Sequence, residues 1–157
     1  MPLTWTDSID RIDWHELAEL YLVAPLARKD PADLQKAFAN SMYKRFAFED
    51  GKLVAAGRVL ADGVDVAYLC DVALLPSHQG LGLGKQIVGE LLDLARGHKK
   101  IFLYSVPGKE GFYAGLGFRR MATAMAIFED QDAATARGYL LPEQGLIAPA
   151  LPARSAS

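Results

Sequence analysis

Apolar residues spaced three and four apart predict two helices in the first third of the chain. The first helix covers residues 14–26, and Asp13 is placed to cap its N-terminus. The second begins near Asp30 and Pro31, because proline is well tolerated in the first turn of a helix. Its apolar face is formed by Leu34, Ala37, Phe38 and Met42.

Strand patterns follow between residues 45 and 75. Polar and apolar residues alternate over residues 45–49, and a turn at residues 50–51 leads into the apolar, β-forming stretch 52–60. These two segments predict a hairpin. Residues 66–75 are almost all apolar and are followed by Pro76, which predicts a central strand buried on both faces.

A glycine-rich turn, a helix and a further strand come next. The turn covers residues 79–85, apolar residues at helical spacing continue over 87–95, and Gly97 favours a helix end. Residues 101–106 are typical of another short strand. The unit predicts two parallel strands joined by a right-handed crossover.

The last predicted elements set the domain boundary. A short helix is predicted at residues 110–116, and strand-like segments at 118–121 and 125–128. Beyond Asp130 the sequence is rich in Ala, Pro and Gly and has no amphipathic period. We therefore expect one domain over residues 1–130, and a tail over 131–157 that lies on the surface or is partly disordered.

Composition and charge narrow the class of protein. The 157 residues are 51% apolar, and a net charge of -2 with a pI near 5.9 gives no overall positive field for nucleic acid or anionic membrane. Cys70 is the one cysteine, so neither an intrachain disulfide nor a thiolate metal cage is expected, and no metal is predicted. No apolar run approaches a membrane span, and no secretory signal is recognised. Cytoplasmic location is the expectation.

The glycine-rich turn is the sharpest chemical signal. Free N–H groups at a helix N-terminus bind anions, and glycines let a pyrophosphate approach closely. A P-loop would need glycine at Gln79 and Ser or Thr at Gln86, and the dinucleotide fingerprint would need glycine at Lys85 or Ile87. Both alternatives fail. The pattern that remains is Q-x-x-G-x-G, at Gln79, Gly82 and Gly84.

This pattern resembles the acyl-CoA signature of the GCN5-related N-acetyltransferase (GNAT) family. The preceding V-A-L-L-P of residues 72–76 fits the family, and residues 112–118 match its later F-Y-x-x-x-G-F motif. The resemblance covers roughly residues 52–128. It implies an α/β (α+β) fold with a central mixed, mostly antiparallel twisted sheet, a splayed parallel strand pair and flanking helices.

The resemblance also implies acetyl-CoA as cosubstrate. The main chain of Val72 and Leu74 would pair with the pantetheine arm at a bulge in the central strand, where the next strand splays away. The pyrophosphate would be bound by the backbone of Gln79, Gly80, Leu81, Gly82, Leu83, Gly84 and Lys85. This sequence lacks the asparagine that many relatives have before the aromatic helix, since residues 106–109 are V-P-G-K.

The implied reaction is attack of a neutral amine on the thioester, and the family's general acid corresponds to Tyr113. Where relatives carry a basic Glu or His on the central strand, this chain has Cys70 and Tyr68. Glu49 is the best remaining carboxylate, with His78 behind it, and a water chain is an equal alternative.

The acceptor is predicted to be a small molecule with a primary amine and a hydrophobic part. This preference depends on an apolar, aromatic wall predicted from Tyr21, Met42, Tyr43, Tyr104 and Met125. Two alternatives stay open: a protein or peptide N-acetyltransferase, and a non-catalytic acyl-CoA-binding module. Family members often pair, so the resemblance is compatible with a homodimer, but no sequence feature fixes an interface.

Overall fold

A single five-stranded sheet forms the centre of the protein. The structure is a computed structural model, and it describes residues 2–142. The strands lie in the order β1-β2-β3-β4-β5; all neighbours are antiparallel except β4 and β5, which are parallel. The strands are β1 Thr4–Thr6, β2 Tyr43–Glu49, β3 Lys52–Ala61, β4 Val66–Leu74 and β5 Lys100–Phe102. The predicted mixed, mostly antiparallel sheet is confirmed.

Within residues 2–142, five α-helices flank the sheet, and side-chain caps fix where three of them begin. Asp13 accepts hydrogen bonds from the first-turn amides of α1, Asp30 does so for α2, and Asp130 for α5. The helices are α1 Trp14–Val23, α2 Pro31–Ala39, α3 Leu83–Ala95, α4 Glu110–Ala114 and α5 Gln131–Ala136. No helix within residues 2–142 is long and apolar enough to cross a bilayer.

The sheet separates two hydrophobic cores. Helices α1 and α2 pack on one face around Phe38 and Phe46, and α3 packs on the other through Ile87 and Leu91. Gly57 of β3 makes the α3 contact possible, because a Cβ there would lie 2.8 Å from the Leu91 Cδ1 atom. The closely packed α3 fixes the position of the glycine-rich turn that precedes it.

The C-terminal part departs from the sequence prediction. Strands were expected at 118–121 and 125–128, but neither segment is a strand, and β5 ends at Phe102 rather than near residue 106. The strand prediction at these segments, which depended on their apolar character alone, was wrong. Met125 and Ile127 are 97% and 95% exposed and have no neighbouring strand to pair with in residues 2–142. Residues 131–136, placed with the tail, form α5; the tail from 143 onwards lies outside the described residues.

Candidate active site

A bulge interrupts the central strand β4 at Asp71. The register against β3 shifts between Ala56 and Arg58, where Ala56 faces Ala73 but Arg58 faces Cys70. Asp71 has a φ of 54°, which is unusual for a residue other than glycine and must be held by its surroundings. The bulge implied by the family resemblance is therefore present.

Three side chains hold the bulge in place. The hydroxyl of Tyr21, from α1, donates a 2.6 Å hydrogen bond to the Asp71 carbonyl oxygen. The Asp71 carboxylate accepts from Arg58 Nε at 2.7 Å and lies 3.2 Å from Lys29 Nζ. Burial lowers the pKa of Arg58, but the Asp71 carboxylate, with smaller contributions from Cys70 and Tyr21, raises the pKa overall. The guanidinium is therefore a permanent partner for Asp71.

Strands β4 and β5 separate after Tyr68, before the bulge, and open a cleft. Their pairing covers only residues 66–68 of β4 and 100–102 of β5. The cleft between them has a volume of about 410 Å³. Its walls come from β4, from the chain after β5, from the α1–α2 loop, from α4 and from the α5 region, and include Val72, Leu103, Ser105, Lys29, Tyr113 and Tyr139. The splayed strand pair predicted from the family is confirmed.

The glycine-rich turn presents an open helix N-terminus. Gly80 and Gly82 have φ values of 76° and 86°, in the left-handed region, and a Cβ at either position would meet nothing within 4 Å. No side chain caps α3, and its first intrahelical bond is from Gln86 N to Gly82 O at 3.1 Å. The N–H groups of residues 83–85 thus point out of the helix start, where its dipole is positive.

The Gln79 side chain stabilises the glycine-rich turn by binding main-chain atoms of the protein. Its side-chain nitrogen donates to the carbonyl oxygens of Ala24, at 3.2 Å, and Leu74, at 3.1 Å. These bonds connect the turn to the end of β4 and to the loop after α1. The sequence predicted Gln79 as part of the pyrophosphate-binding segment. In the structure its side-chain amide holds that segment in position.

Tyr113 lies on the wall of the cleft. Helix α4 places its ring edge-on to Phe112 and Phe118, with centroids 5.0 and 5.9 Å away. Burial raises the pKa of the Tyr113 hydroxyl above its ordinary value. The phenol is therefore protonated at neutral pH, and its oxygen has no hydrogen-bond partner within residues 2–142, so it can donate to a ligand in the cleft.

Comparison with known proteins decides the family. A family model described as the acetyltransferase (GNAT) family matches residues 7–118, which is more than half of the chain. This protein belongs to the GNAT family. Serotonin N-acetyltransferase 2, chloroplastic, of Oryza sativa subsp. japonica is 34% identical over 113 residues, covering 68% of this chain and 56% of that protein. The first three curated relatives are matched over 54% to 63% of their own length.

Solved structures give the same fold. A GNAT family acetyltransferase from Streptococcus pneumoniae superposes with a TM-score of 0.70 at 20% identity, covering 83% of this chain and 99% of that one. The ribosomal-protein-S18-alanine N-acetyltransferase of Escherichia coli gives a TM-score of 0.66 at 20% identity, covering 77% and 80%. Likeness at this identity supports the fold and leaves the acceptor open.

In this GNAT chain, Glu49 and Tyr113 line different clefts. Glu49 Oε2 lies 2.8 Å from His78 Nε2, and His78 Nδ1 lies 2.8 Å from Ser77 Oγ. This pair borders a smaller cleft, of about 280 Å³, beside Gly82. The structure does not bring the two predicted catalytic side chains together. Glu49 and His78 lie beside the turn, where they hold the short 3₁₀ segment Pro76–His78 against β2.

Two of the β4 side chains that line the cleft, Cys70 and Tyr68, are neutral. Burial raises the pKa of the Cys70 thiol to about 11, and burial together with Tyr104 raises the pKa of Tyr68. Neither accepts a proton readily at neutral pH. Asp71 of the bulge also lines this cleft, and its carboxylate is paired with Arg58 and Lys29.

The aromatic wall of this cleft is formed mostly by residues outside the group predicted for an acceptor wall. Only Tyr104 of the predicted group lines it; Tyr21 is fully buried behind the bulge, and Met125 is 97% exposed elsewhere. Met42 and Tyr43 are likewise not among its lining residues. The wall is formed instead by Tyr68, Tyr104, Phe128 and Tyr139, with Glu129, Asp130 and Arg137 beside them. Five of these follow residue 127, where no sequence motif pointed to a site.

Proposed function

We propose that this protein is an acetyl-CoA-dependent N-acetyltransferase that acts by direct attack of a primary amine on a small molecule with an aromatic part. One observation carries the proposal: a single cleft runs past the bulge of β4, the Tyr113 hydroxyl and an aromatic wall, with the open α3 turn following β4. The GNAT family membership supports the reaction type. Cytoplasmic location stays a prediction from the sequence.

The turn fits a pyrophosphate. Two glycines with open space at the Cβ positions, Gly80 and Gly82, leave room for an anion beside the first-turn N–H groups of α3. Lys85 lies in the same turn and adds positive charge. The surrounding contacts of Gln79 and His78 hold this geometry without a ligand, so less ordering is required on binding.

The bulge supplies main-chain groups where the thioester would lie. Because β5 stops pairing after Tyr68, the part of β4 that follows, up to Val72, faces the cleft instead of another strand. An extended pantetheine arm can pair with such an edge as an added strand. A main-chain N–H near Leu74 then serves as hydrogen-bond donor to the oxyanion.

Tyr113 assists the leaving thiolate by hydrogen bonding. With reference pKa values of about 10 for tyrosine and about 8.5 for a thiol, full proton transfer is uphill by roughly 2 kcal/mol. Burial raises the pKa of Tyr113 further, which makes full transfer less favourable still. A protonated phenol that donates a hydrogen bond is the role that fits the structure.

The amine loses its proton to water in this proposal. Acetyl-CoA supplies the activated acetyl group, while the chain must bind the ammonium form and let the proton leave. Three carboxylates, Asp71, Glu129 and Asp130, line the cleft with the cations Lys29 and Arg137. Because Asp71 is already paired with Arg58 and Lys29, Glu129 and Asp130 are the carboxylates that would attract an ammonium group. Because Glu49 lies in the other cleft and Cys70 and Tyr68 are neutral, a water chain is the route we favour.

The aromatic wall favours an aromatic amine. Tyr68 and Tyr104 stack with centroids 6.1 Å apart, and Tyr104, 58% exposed, presents ring surface to the cleft. Stacking on a tyrosine and attraction of a cation to its face both favour an arylalkylamine. The name of the rice relative, which includes serotonin, supports the same class.

The test is turnover of acetyl-CoA, followed as free thiol release, with an arylalkylamine, an aliphatic amine and an N-terminal peptide as acceptors. We expect the arylalkylamine to give the highest kcat/KM. Preference for the peptide would identify a protein acetyltransferase. A matched variant, Gly82→Val, strains the left-handed turn and covers the N–H groups, so its coenzyme A binding should be lost in a calorimetric titration. Wild-type protein that binds coenzyme A but turns over no amine would be a binding module.

A further inference from the structure

A primary amine of the chain itself lies in the cleft. Among the lysines within residues 2–142, Lys29 is the one that lines it. Lys29 belongs to the α1–α2 loop, and its side chain is 28% exposed, so the amine is neither buried in a core nor free in solvent. It is a group of the same chemical class as the acceptor that the cleft is proposed to bind.

Two contacts hold the Lys29 ammonium group in place. Its Nζ atom lies 3.2 Å from Asp71 Oδ1 and 5.5 Å from the centroid of the Tyr21 ring. The next residue, Asp30, caps α2 with its side chain, which anchors the main chain at the base of the lysine. The amine is therefore held at the bulge of β4.

The bulge is also where the acetyl group would lie. Asp71 directly precedes Val72, at the end of the part of β4 that faces the cleft, and Tyr113 lines the same cleft of about 410 Å³. We propose that Lys29 Nζ is acetylated by the acetyl-CoA bound to the same chain when no acceptor is present. This self-modification rests on the proposed function, because it needs the thioester in this cleft.

The reaction is an acyl transfer in which the chain's own amine replaces the acceptor. The ammonium group of Lys29 leaves Asp71 and loses one proton to water, and the neutral nitrogen attacks the thioester carbonyl carbon. A C–N bond forms and the C–S bond breaks, and the sulfur takes the electron pair of that bond and the second proton of the nitrogen. The products are an acetylated lysine and free coenzyme A. Because the ion pair must first be broken, we expect a slower reaction than turnover of a bound acceptor.

The modification keeps the fold and blocks the site. Acetylation removes the positive charge of Lys29, but Asp71 keeps its partner Arg58, whose Nε donates at 2.7 Å. The bulge is still held by Arg58 and by the Tyr21 hydroxyl. The added acetamide occupies part of the cleft, so the acceptor is excluded and the chain inactivates itself.

The first experiment incubates the full chain with acetyl-CoA alone and locates acetyl groups by peptide mass spectrometry. Lys29 should gain an acetyl group at a rate roughly tenfold or more above that of Lys36 and Lys52, which are exposed and do not line the cleft. The rate constant should not change with protein concentration, because the reaction takes place within one chain. In Gly82→Val, which should not bind coenzyme A, labelling of Lys29 should fall to that of the exposed lysines.

The second experiment measures the activity that is lost during the same incubation. When an arylalkylamine is added afterwards, wild type should have lost activity in proportion to the acetylated fraction of Lys29. An arginine stays charged, can pair with Asp71 and is not acetylated here, so Lys29→Arg should keep its own starting rate throughout the incubation. A saturating amine present from the start should protect wild type from both the label and the loss.

Two results would overturn the inference: Lys29 acetylated no faster than the exposed lysines, or equal labelling of Lys29 in wild type and Gly82→Val. Free thiol release with an added amine then separates two cases. If the wild-type chain turns over the amine, only the self-modification fails. If it does not, the proposed function fails as well.

Discussion

One of the contacts that hold the bulge in β4 is a hydrogen bond that the removal of a single oxygen atom would abolish. Tyr21 is fully buried, and its hydroxyl donates to the Asp71 carbonyl oxygen at 2.6 Å. Replacing Tyr21 by phenylalanine keeps the ring in the α1 core and removes only the donor. The carbonyl of a residue at φ 54° is then left without this partner.

The burial of this carbonyl sets the expected loss in the free energy of unfolding. Loss of one donor to a partly buried carbonyl costs about 1.5 kcal/mol, between the net value of an ordinary hydrogen bond and the penalty for an unsatisfied buried group. In a chain of this size that free energy corresponds to a fall in Tm of roughly 3 to 6 °C. A bulge free to move would also misplace the main chain of Val72, so kcat/KM should fall roughly tenfold or more.

Thermal unfolding by circular dichroism and steady-state kinetics with acetyl-CoA measure the two effects. The matched control is Tyr43→Phe, because Tyr43, at the start of β2, is a partly buried tyrosine whose hydroxyl makes no hydrogen bond to residues 2–142. The control should keep both the wild-type Tm and the wild-type kcat/KM. If Tyr21→Phe matched wild type in both measurements, the bulge would be held by other contacts and our account of it would be wrong.

Three further predictions concern single positions. Tyr113→Phe should lower kcat roughly 100-fold with little change in the KM for acetyl-CoA, and an unchanged kcat would remove the phenol from the reaction. Gly57→Ala places a Cβ 2.8 Å from Leu91 Cδ1 and should destabilise the fold by about 1 to 3 kcal/mol, measured by urea unfolding. Backbone N–H groups of Val64 and its two successors lower the pKa of Asp62 to about 2. Its contribution is therefore present above pH 4 and lost as pH falls through about 2, so wild type and Asp62→Asn should differ in stability at pH 5 and converge near pH 2.

The elements that the sequence predicted well are those whose local pattern agrees with their packing. Helix α3 has apolar residues at helical spacing and a glycine turn before it, and β4 is almost all apolar. Tyr113 was placed from a motif in the same way, and it lines the cleft. Local pattern and tertiary environment favour the same structure at these positions.

The bulge and the aromatic wall of the cleft could not be predicted from local patterns, because they depend on contacts between residues far apart in the sequence. The left-handed Asp71 is stabilised by Tyr21 and Arg58, which are 50 and 13 residues away in sequence, and no local signal reports such contacts. Phe128 and Tyr139 reach the cleft through the irregular path of the chain after α4. The wrong strands at 118–121 and 125–128 arose because a β-forming sequence needs a partner, and residues 2–142 provide none.

The α1–α2 loop joins the glycine-rich turn to the bulge. The carbonyl of Ala24 accepts from Gln79 of the turn, while Lys29 lies against the Asp71 carboxylate at the bulge. Leu26 and Ala27, between them, form part of the cleft wall. An insertion or deletion in this loop would move both attachments together, so evolutionary change in the shape of the cleft through this loop is confined to substitutions at a few central residues.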